Sequence, residues 1–256
     1  MGDGAVKETD FVNGFAKGLR VIEAFGEGDR RLSIADVAKK TGLDRATVRR
    51  SLLTLAELQY ADYDGKFFTL TPRILRLGHA YLSATPLPAL LQPHLDLLAE
   101  KTGQSSSASV LDGTQVLYIA RASQRRVMSI NLNPGSRLPA YCSSMGRILL
   151  AALGDDGARD VLARTDLHAN TDRTLTDIDA IIAELGRVRQ LGYAIIDQEL
   201  ELGLRSIAVP LKNRRGETIA ALNVGAPAAH MSLTQLVEHV LPLLRQAAEN
   251  ISLSLG

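Results

Sequence analysis

Apolar side chains recur every three or four residues through Phe11, Phe15, Leu19, Ile22 and Phe25, then stop at Gly26 and Gly28. That pattern predicts an amphipathic first helix. A second helix follows Ser33, with Asp36 in its first turn, Ile34, Val37, Ala38 and Thr41 on one side, and Gly42 at its end. Asp44 suits the cap of a third, whose inner stripe is Val48, Leu52 and Leu55. After Tyr60, two short β-prone runs meet at Asp64-Gly65, a hairpin turn signal. Thr71-Pro72 then opens a helix, carried to about residue 84 by Ile74, Leu77, Tyr81 and Leu82.

Thr85-Pro86-Leu87-Pro88 breaks this pattern and predicts a boundary. Expected beyond it are a helix through Leu90, Leu91, Leu95 and Leu98, then strands at 105–111 and 115–121 joined across Asp112-Gly113, and a third at 126–132. Helices at 144–153 and 175–191 precede strands at 193–197, 205–211 and 218–224. Ser232 with Gln235 opens a closing helix, which Pro242 should kink. Consecutive strands on tight turns predict an antiparallel sheet flanked by helices, hence an α+β chain. The expected domains are 1–71, a linker helix at 72–85, and 86–256.

Charge gives the first region a task. Seven Lys/Arg and two acids lie between Arg30 and Arg50, a balance of +5 in a chain whose net charge is only +1. An ordinary helical hairpin with a solvated basic face is the plain alternative, and this concentration of charge argues against it. Two helices crossing at a short turn, the second with Arg45, Thr47, Arg49 and Arg50 outward, form a helix-turn-helix suited to a DNA major groove. The hairpin behind it reads as a wing, with Lys66 placed to meet phosphate. Residues 1–85 hold 13 basic and 11 acidic side chains and the remainder 16 and 17, so the second region is not expected to be another nucleic-acid surface.

Composition narrows the rest. A single cysteine, Cys142, excludes an internal disulfide framework and a cysteine-rich zinc site, and the five histidines lack metal-ligand spacing. The first residues, MGDGAVKETDFVNG, lack a secretory leader's basic-then-apolar pattern, and no apolar run reaches membrane-spanning length, so a cytoplasmic protein without membrane contact is expected. Enzyme signatures are absent: no phosphate-binding glycine loop, no His-Glu-x-x-His, no Gly-x-Ser-x-Gly. No cofactor or metal is expected.

Three stretches of the second region suit a small-ligand pocket better than a uniform core. LPAYCSSMGR (138–147) leads small polar residues into a helix start able to receive a carboxylate. DQELELGLRSIAVPL (197–211) sets Arg205 and Ser206 on a strand, and AALNVGAP (220–227) places Asn223 and Gly225 in an otherwise apolar one.

With these motifs the whole chain resembles the IclR family of bacterial transcriptional regulators. LPAYCSSMGRILLAAL is particularly similar to the subgroup answering to protocatechuate or para-hydroxybenzoate in aromatic catabolism. The resemblance implies a winged helix-turn-helix, a linker helix and a GAF-like effector domain. It implies homodimers, often dimers of dimers, on palindromic operator DNA. Effector contacts are implied at Met128, Asn131, Ser143, Ser144, Met145, Gly146, Ile196, Ser206, Asn223 and Gly225; the chemistry of a hydroxybenzoate adds Tyr141 and Leu132 as ring walls, with Arg121, Arg137 and Glu199 as further polar candidates. Ile196 stands where members binding small oxo-acids carry an acid, which favours a flatter, larger ligand. Two alternatives stand beside this reading: an enzyme with a DNA-binding head, for which the nucleotide loop is missing, and a regulator answering to a non-aromatic carboxylate.

Overall fold

The computed structural model describes residues 10–26, 29–78, 87–123 and 132–255. Contacts divide the chain into two units, 1–84 and 85–256.

In the first unit, α1 (Asn13–Glu23), α2 (Ile34–Thr41) and α3 (Arg45–Glu57) precede a two-stranded hairpin, β1 (Ala61–Tyr63) and β2 (Phe68–Leu70). Ser33 and Asp36 form a reciprocal capping box on α2, and Gly42 ends it at φ +69°, a conformation cheap for glycine. The Asp44 carboxylate caps α3 by accepting the Thr47 N–H at 2.8 Å. Val21, Leu32, Val37, Val48, Leu52, Leu55, Ala61 and Phe68 close one core, and a backbone bridge from Leu32 to Phe68 ties the wing to the turn before α2. Thr71 caps a short 3₁₀ turn, Pro72–Ile74, and helical backbone continues to residue 78. The remainder of the expected linker helix lies outside the described residues.

In the second unit, α4 (Leu87–Thr102) leads into β3 (Ser105–Asp112) and β4 (Gln115–Ala122). The expected strand at 126–132 falls almost wholly outside the described residues. A short β5 (Arg137–Pro139), not anticipated from the sequence, pairs with β4. Then come α5 (Ser144–Ala152), α6 (Gly154–Ala163), α7 (Ile178–Leu191), β6 (Ala194–Asp197), β7 (Leu204–Lys212) and β8 (Thr218–Pro227). The six strands form one antiparallel sheet in the order β5-β4-β3-β8-β7-β6.

The closing helix begins with α8 (Leu233–Gln235) and ends as α9 (Leu241–Ser254), joined by a π-helical turn, Leu236–Val240. Pro242 follows the π turn within this one continuous helix, where its missing N–H leaves the ladder a bond short, and the irregularity expected at the proline lies in that turn. One sheet face packs on α4 and the closing helix, through residues such as Leu95, Ile207, Leu222 and Leu244. The other packs on α5, α6 and α7, through Tyr118, Leu150, Leu185 and Ala208. With both faces covered, the strands are apolar on both sides, so a polar side chain inside them needs a reason.

Candidate functional site

Such polar side chains collect on the α5 side of the sheet, in two neighbouring cross-strand rows. One runs Ile196, Ser206, Gly225, Ser105 across β6, β7, β8 and β3. The next runs Ala208, Asn223, Ser107, Arg121 across β7, β8, β3 and β4. Over them lies the start of α5, whose Ser143, Ser144 and Met145, with Cys142, wall a small cavity closed by Leu132, Leu138, Tyr118, Leu200 and Leu204. Gly225 adds no side chain and leaves the floor open between Ser206 and Ser105. The cavity is partly open and its space is about 30 Å³, room for a water or two.

Arg121 reaches this side through a bulge. Ala108 pairs with Ala120 and Ser109 with Tyr118, so Ile119 has no partner on β3. Ile119 and Ala120 both pack toward α4 and the closing helix, and Arg121 turns back to the cavity, its Nη1 donating to Ser107 Oγ at 3.1 Å. Burial lowers the Arg121 pKa, as burial does for any cation, but the guanidinium stays charged. No acid pairs with it among the described residues.

Two further groups are orphaned. Ser144 Oγ and Asn223 Oδ1 are buried without a hydrogen-bond partner among the described residues. Leaving a buried polar atom unmade costs about 1–3 kcal/mol, and both line the cavity, which marks it as a place for a ligand. Ser143 Oγ is occupied as the α5 cap, accepting the Gly146 N–H at 3.3 Å. The Cys142 thiol is pushed up to about 12 by burial, so it is a wall group rather than a nucleophile.

Of the residues singled out in the sequence, Arg121, Ser143, Ser144, Met145, Ile196, Ser206, Asn223 and Gly225 meet at this cavity. Met128 and Asn131 lie outside the described residues. Tyr141 and Gly146 do not line it. The Tyr141 ring turns away, its hydroxyl donating to the His168 carbonyl at 2.6 Å. Gly146 packs against the backbone of Ala140. Arg137 is bound outside by Asp112, and Glu199 lies behind the wall, paired with Arg147. The serines of β3 were missed, although Ser105, Ser107 and Ser109 alternate in the sequence as one polar strand face would.

On the first unit, Arg45, Arg49 and Arg50 are exposed along α3 and Lys66 is exposed at the wing tip. Lys66 Nζ and the Arg31 guanidinium lie 5.1 and 4.8 Å from the centre of the Phe67 ring, and Asp64, paired with Arg31, braces the turn. Thr47 departs from expectation: at 8% exposed it belongs to the inner side of α3, because the buried stripe spreads beyond Val48 toward α1.

Comparison with known proteins accords with both units. Residues 15–65 match the IclR helix-turn-helix domain, and residues 79–253 match the bacterial transcriptional regulator IclR C-terminal domain. The chain belongs to the IclR family. It is 46% identical over 245 residues to the Pca regulon regulatory protein of Pseudomonas putida, covering 95% of this chain and 84% of that one. It is 38% identical to the p-hydroxybenzoate hydroxylase transcriptional activator of Acinetobacter baylyi, covering 96% and 93%. Among solved structures, an IclR homolog from Microbacterium hydrocarbonoxydans complexed with 4-hydroxybenzoate superposes with a TM-score of 0.81 at 26% identity, over 94% of this chain and 98% of that one. The chain is thus a transcriptional regulator with a helix-turn-helix, and these relatives are regulators rather than enzymes.

Proposed function

We propose that this regulator binds operator DNA as a homodimer and takes a small aromatic acid, para-hydroxybenzoate or protocatechuate, into the cavity under α5 to control genes of aromatic catabolism. The observation that carries the reading is the cavity's polar set: among the described residues, Arg121 is a cation without an acid, and Ser144 Oγ and Asn223 Oδ1 are without a hydrogen-bond partner. A hydroxybenzoate complements them, its carboxylate on Arg121 and the α5 start and its phenol donating to Asn223. Met145, Leu132 and Ile196 supply apolar wall for a ring. The name of the Acinetobacter relative and the 4-hydroxybenzoate held by the Microbacterium homolog support the same class.

A non-aromatic carboxylate is the second reading. The narrow cavity and its serine-rich floor favour a slender, flexible acid, whereas a ring enters only as wall side chains give way.

Titration calorimetry on the full chain with 4-hydroxybenzoate, protocatechuate and a straight-chain dicarboxylate decides between them. Asn223→Ala is expected to weaken hydroxybenzoate binding roughly tenfold while leaving operator affinity intact. Binding of the dicarboxylate alone would overturn the aromatic reading.

On DNA, Arg45, Arg49 and Arg50 are assigned to the groove and Lys66 to phosphate. Alanine at an arginine reading guanine should cost about 1–3 kcal/mol and relax specificity at one base position, whereas Lys66→Ala should weaken all sequences alike. Competition gel shifts with point-substituted operators separate the two behaviours, and unchanged affinity across the arginine series would remove α3 from the interface.

One short helix reads too few base pairs for selectivity, so two heads must act together. Phe15 and Leu19 on α1 are 68% and 41% exposed beside the 53% exposed Leu58, a surface fit for pairing. Sedimentation should give a dimer at micromolar concentration, shifted toward monomer by Phe15→Asp. A monomeric parent would refute this.

A further inference from the structure

Arg147 heads the largest side chains shut away from solvent among the described residues, at 1% exposed. Stability alone gives little reason for a guanidinium there. A buried ion pair loses the hydration of both charges, and apolar side chains of similar volume often serve as well or better. What the pair supplies is geometry. Arg147 follows the Ser143–Met145 wall by half a turn of α5. Its Nε donates to the Tyr141 carbonyl, just ahead of the wall residue Cys142, and its Nη2 donates to Glu199 Oε2 at 2.8 Å. Glu199 stands in the turn after β6, between the cavity residues Ile196 and Leu200.

The same carboxylate ties in a third segment. Glu199 Oε2 accepts the Leu175 N–H at 3.2 Å, and the Glu199 carbonyl accepts from Thr174 Oγ1 at 2.6 Å. Gln198 beside it is held at φ +66°, rarely adopted by a residue with a side chain, and its N–H donates to the Leu204 carbonyl at 2.9 Å. The turn therefore has one seat, and the guanidinium joins that seat to α5.

We propose that Arg147 and Glu199 are a positioning pair that fixes the spacing between the α5 wall and the β6–β7 wall, and so sets the size of acid the cavity admits. The inference rests on the reading of this cavity as the effector site. Neither residue lines the cavity; they act through Cys142 to Met145 on one side and Leu200 on the other. An acid that fits the spacing leaves the pair joined. A longer one parts it and strands two charges away from water. Without the charges, the walls yield to either acid.

The test is titration calorimetry on the full chain with 4-hydroxybenzoate and the longer 4-hydroxyphenylacetate. The parent is compared with Glu199→Gln and with the double variant Arg147→Met/Glu199→Gln, which removes both charges together and keeps an acceptor for Leu175. If the parent takes only acyclic acids, adipate and pimelate fill the same two places. The parent should prefer the shorter acid, and both variants should narrow that preference roughly three- to thirtyfold, the range expected of a residue acting through its neighbours. A merely structural pair would move the unfolding temperature and leave the preference unchanged. An unchanged preference in the variants, or a double variant that does not fold, overturns the positioning role alone. A parent that binds none of the four acids overturns the effector reading as well.

Discussion

Gly146→Ala is expected to destabilise the second unit strongly, although it adds only one methyl group. A Cβ built at Gly146 falls 2.1 Å from the Ala140 carbonyl oxygen and 2.4 Å from its Cα. Both are backbone atoms of the segment that turns from β5 into α5, so no side-chain rotation relieves the clash. The α5 start must lift away from the 140–143 segment, at a cost of about 3 kcal/mol, the upper part of the usual overpacking range. In a domain of this size that corresponds to roughly 6–12 °C in unfolding temperature. Gly18→Ala is the control: nothing lies within 4 Å of its Cβ, and alanine in a helix interior is preferred over glycine by about 1 kcal/mol. Differential scanning calorimetry of both variants is the measurement. A parent-like transition in Gly146→Ala would mean that α5 does not approach Ala140 this closely.

Arg121→Ala should abolish the response to acid while leaving the protein folded. If Arg121 receives the carboxylate, its removal leaves an anion in a largely apolar cavity. Truncating one partner of a buried, hydrogen-bonded charge pair costs about 2–5 kcal/mol, roughly thirty- to several-thousand-fold in affinity. Arg121→Lys keeps the charge but loses the planar fork, and should fall between. Stability should change little, because Arg121 donates to Ser107 and has no acid to strand among the described residues. Calorimetric titration checks both variants. Full affinity in Arg121→Ala would assign the anion to the α5 helix start instead.

Much of this could be read from the sequence because local chemistry decided it. Ser33, Asp36, Gly42 and Asp44 specify the ends of two helices whatever surrounds them, and each caps or ends its helix where expected. Ser206, Asn223 and Gly225 stood out because polar or small residues are anomalous in apolar strands. What could not be read depends on long-range register. Ser107 and Asn223 become neighbours only when β3 pairs with β8, more than a hundred residues apart in the chain. Thr47 looked outward on a helical wheel, but the depth to which α3 sinks against α1 is a tertiary fact. Arg147 reads as one basic residue in an apolar helix, and nothing local shows that its partner is Glu199.

The bulge at Ile119 has a consequence for chain length. Every residue of a regular strand is committed to a face by its position in the count, so losing one residue reverses all those on one side of the loss. Ile119 is outside that count, since Ala120 opposite Ala108 already completes the ladder. Its deletion would remove some packing against α4 and the closing helix, yet leave Tyr118 and Arg121 facing the cavity. Deleting Ala120 as well would set Arg121 directly after Tyr118 and carry the cation to the far side of the sheet. In a comparison of related chains, a one-residue gap at Ile119 or Ala120 is therefore compatible with an intact anion site, whereas a gap of both residues is not.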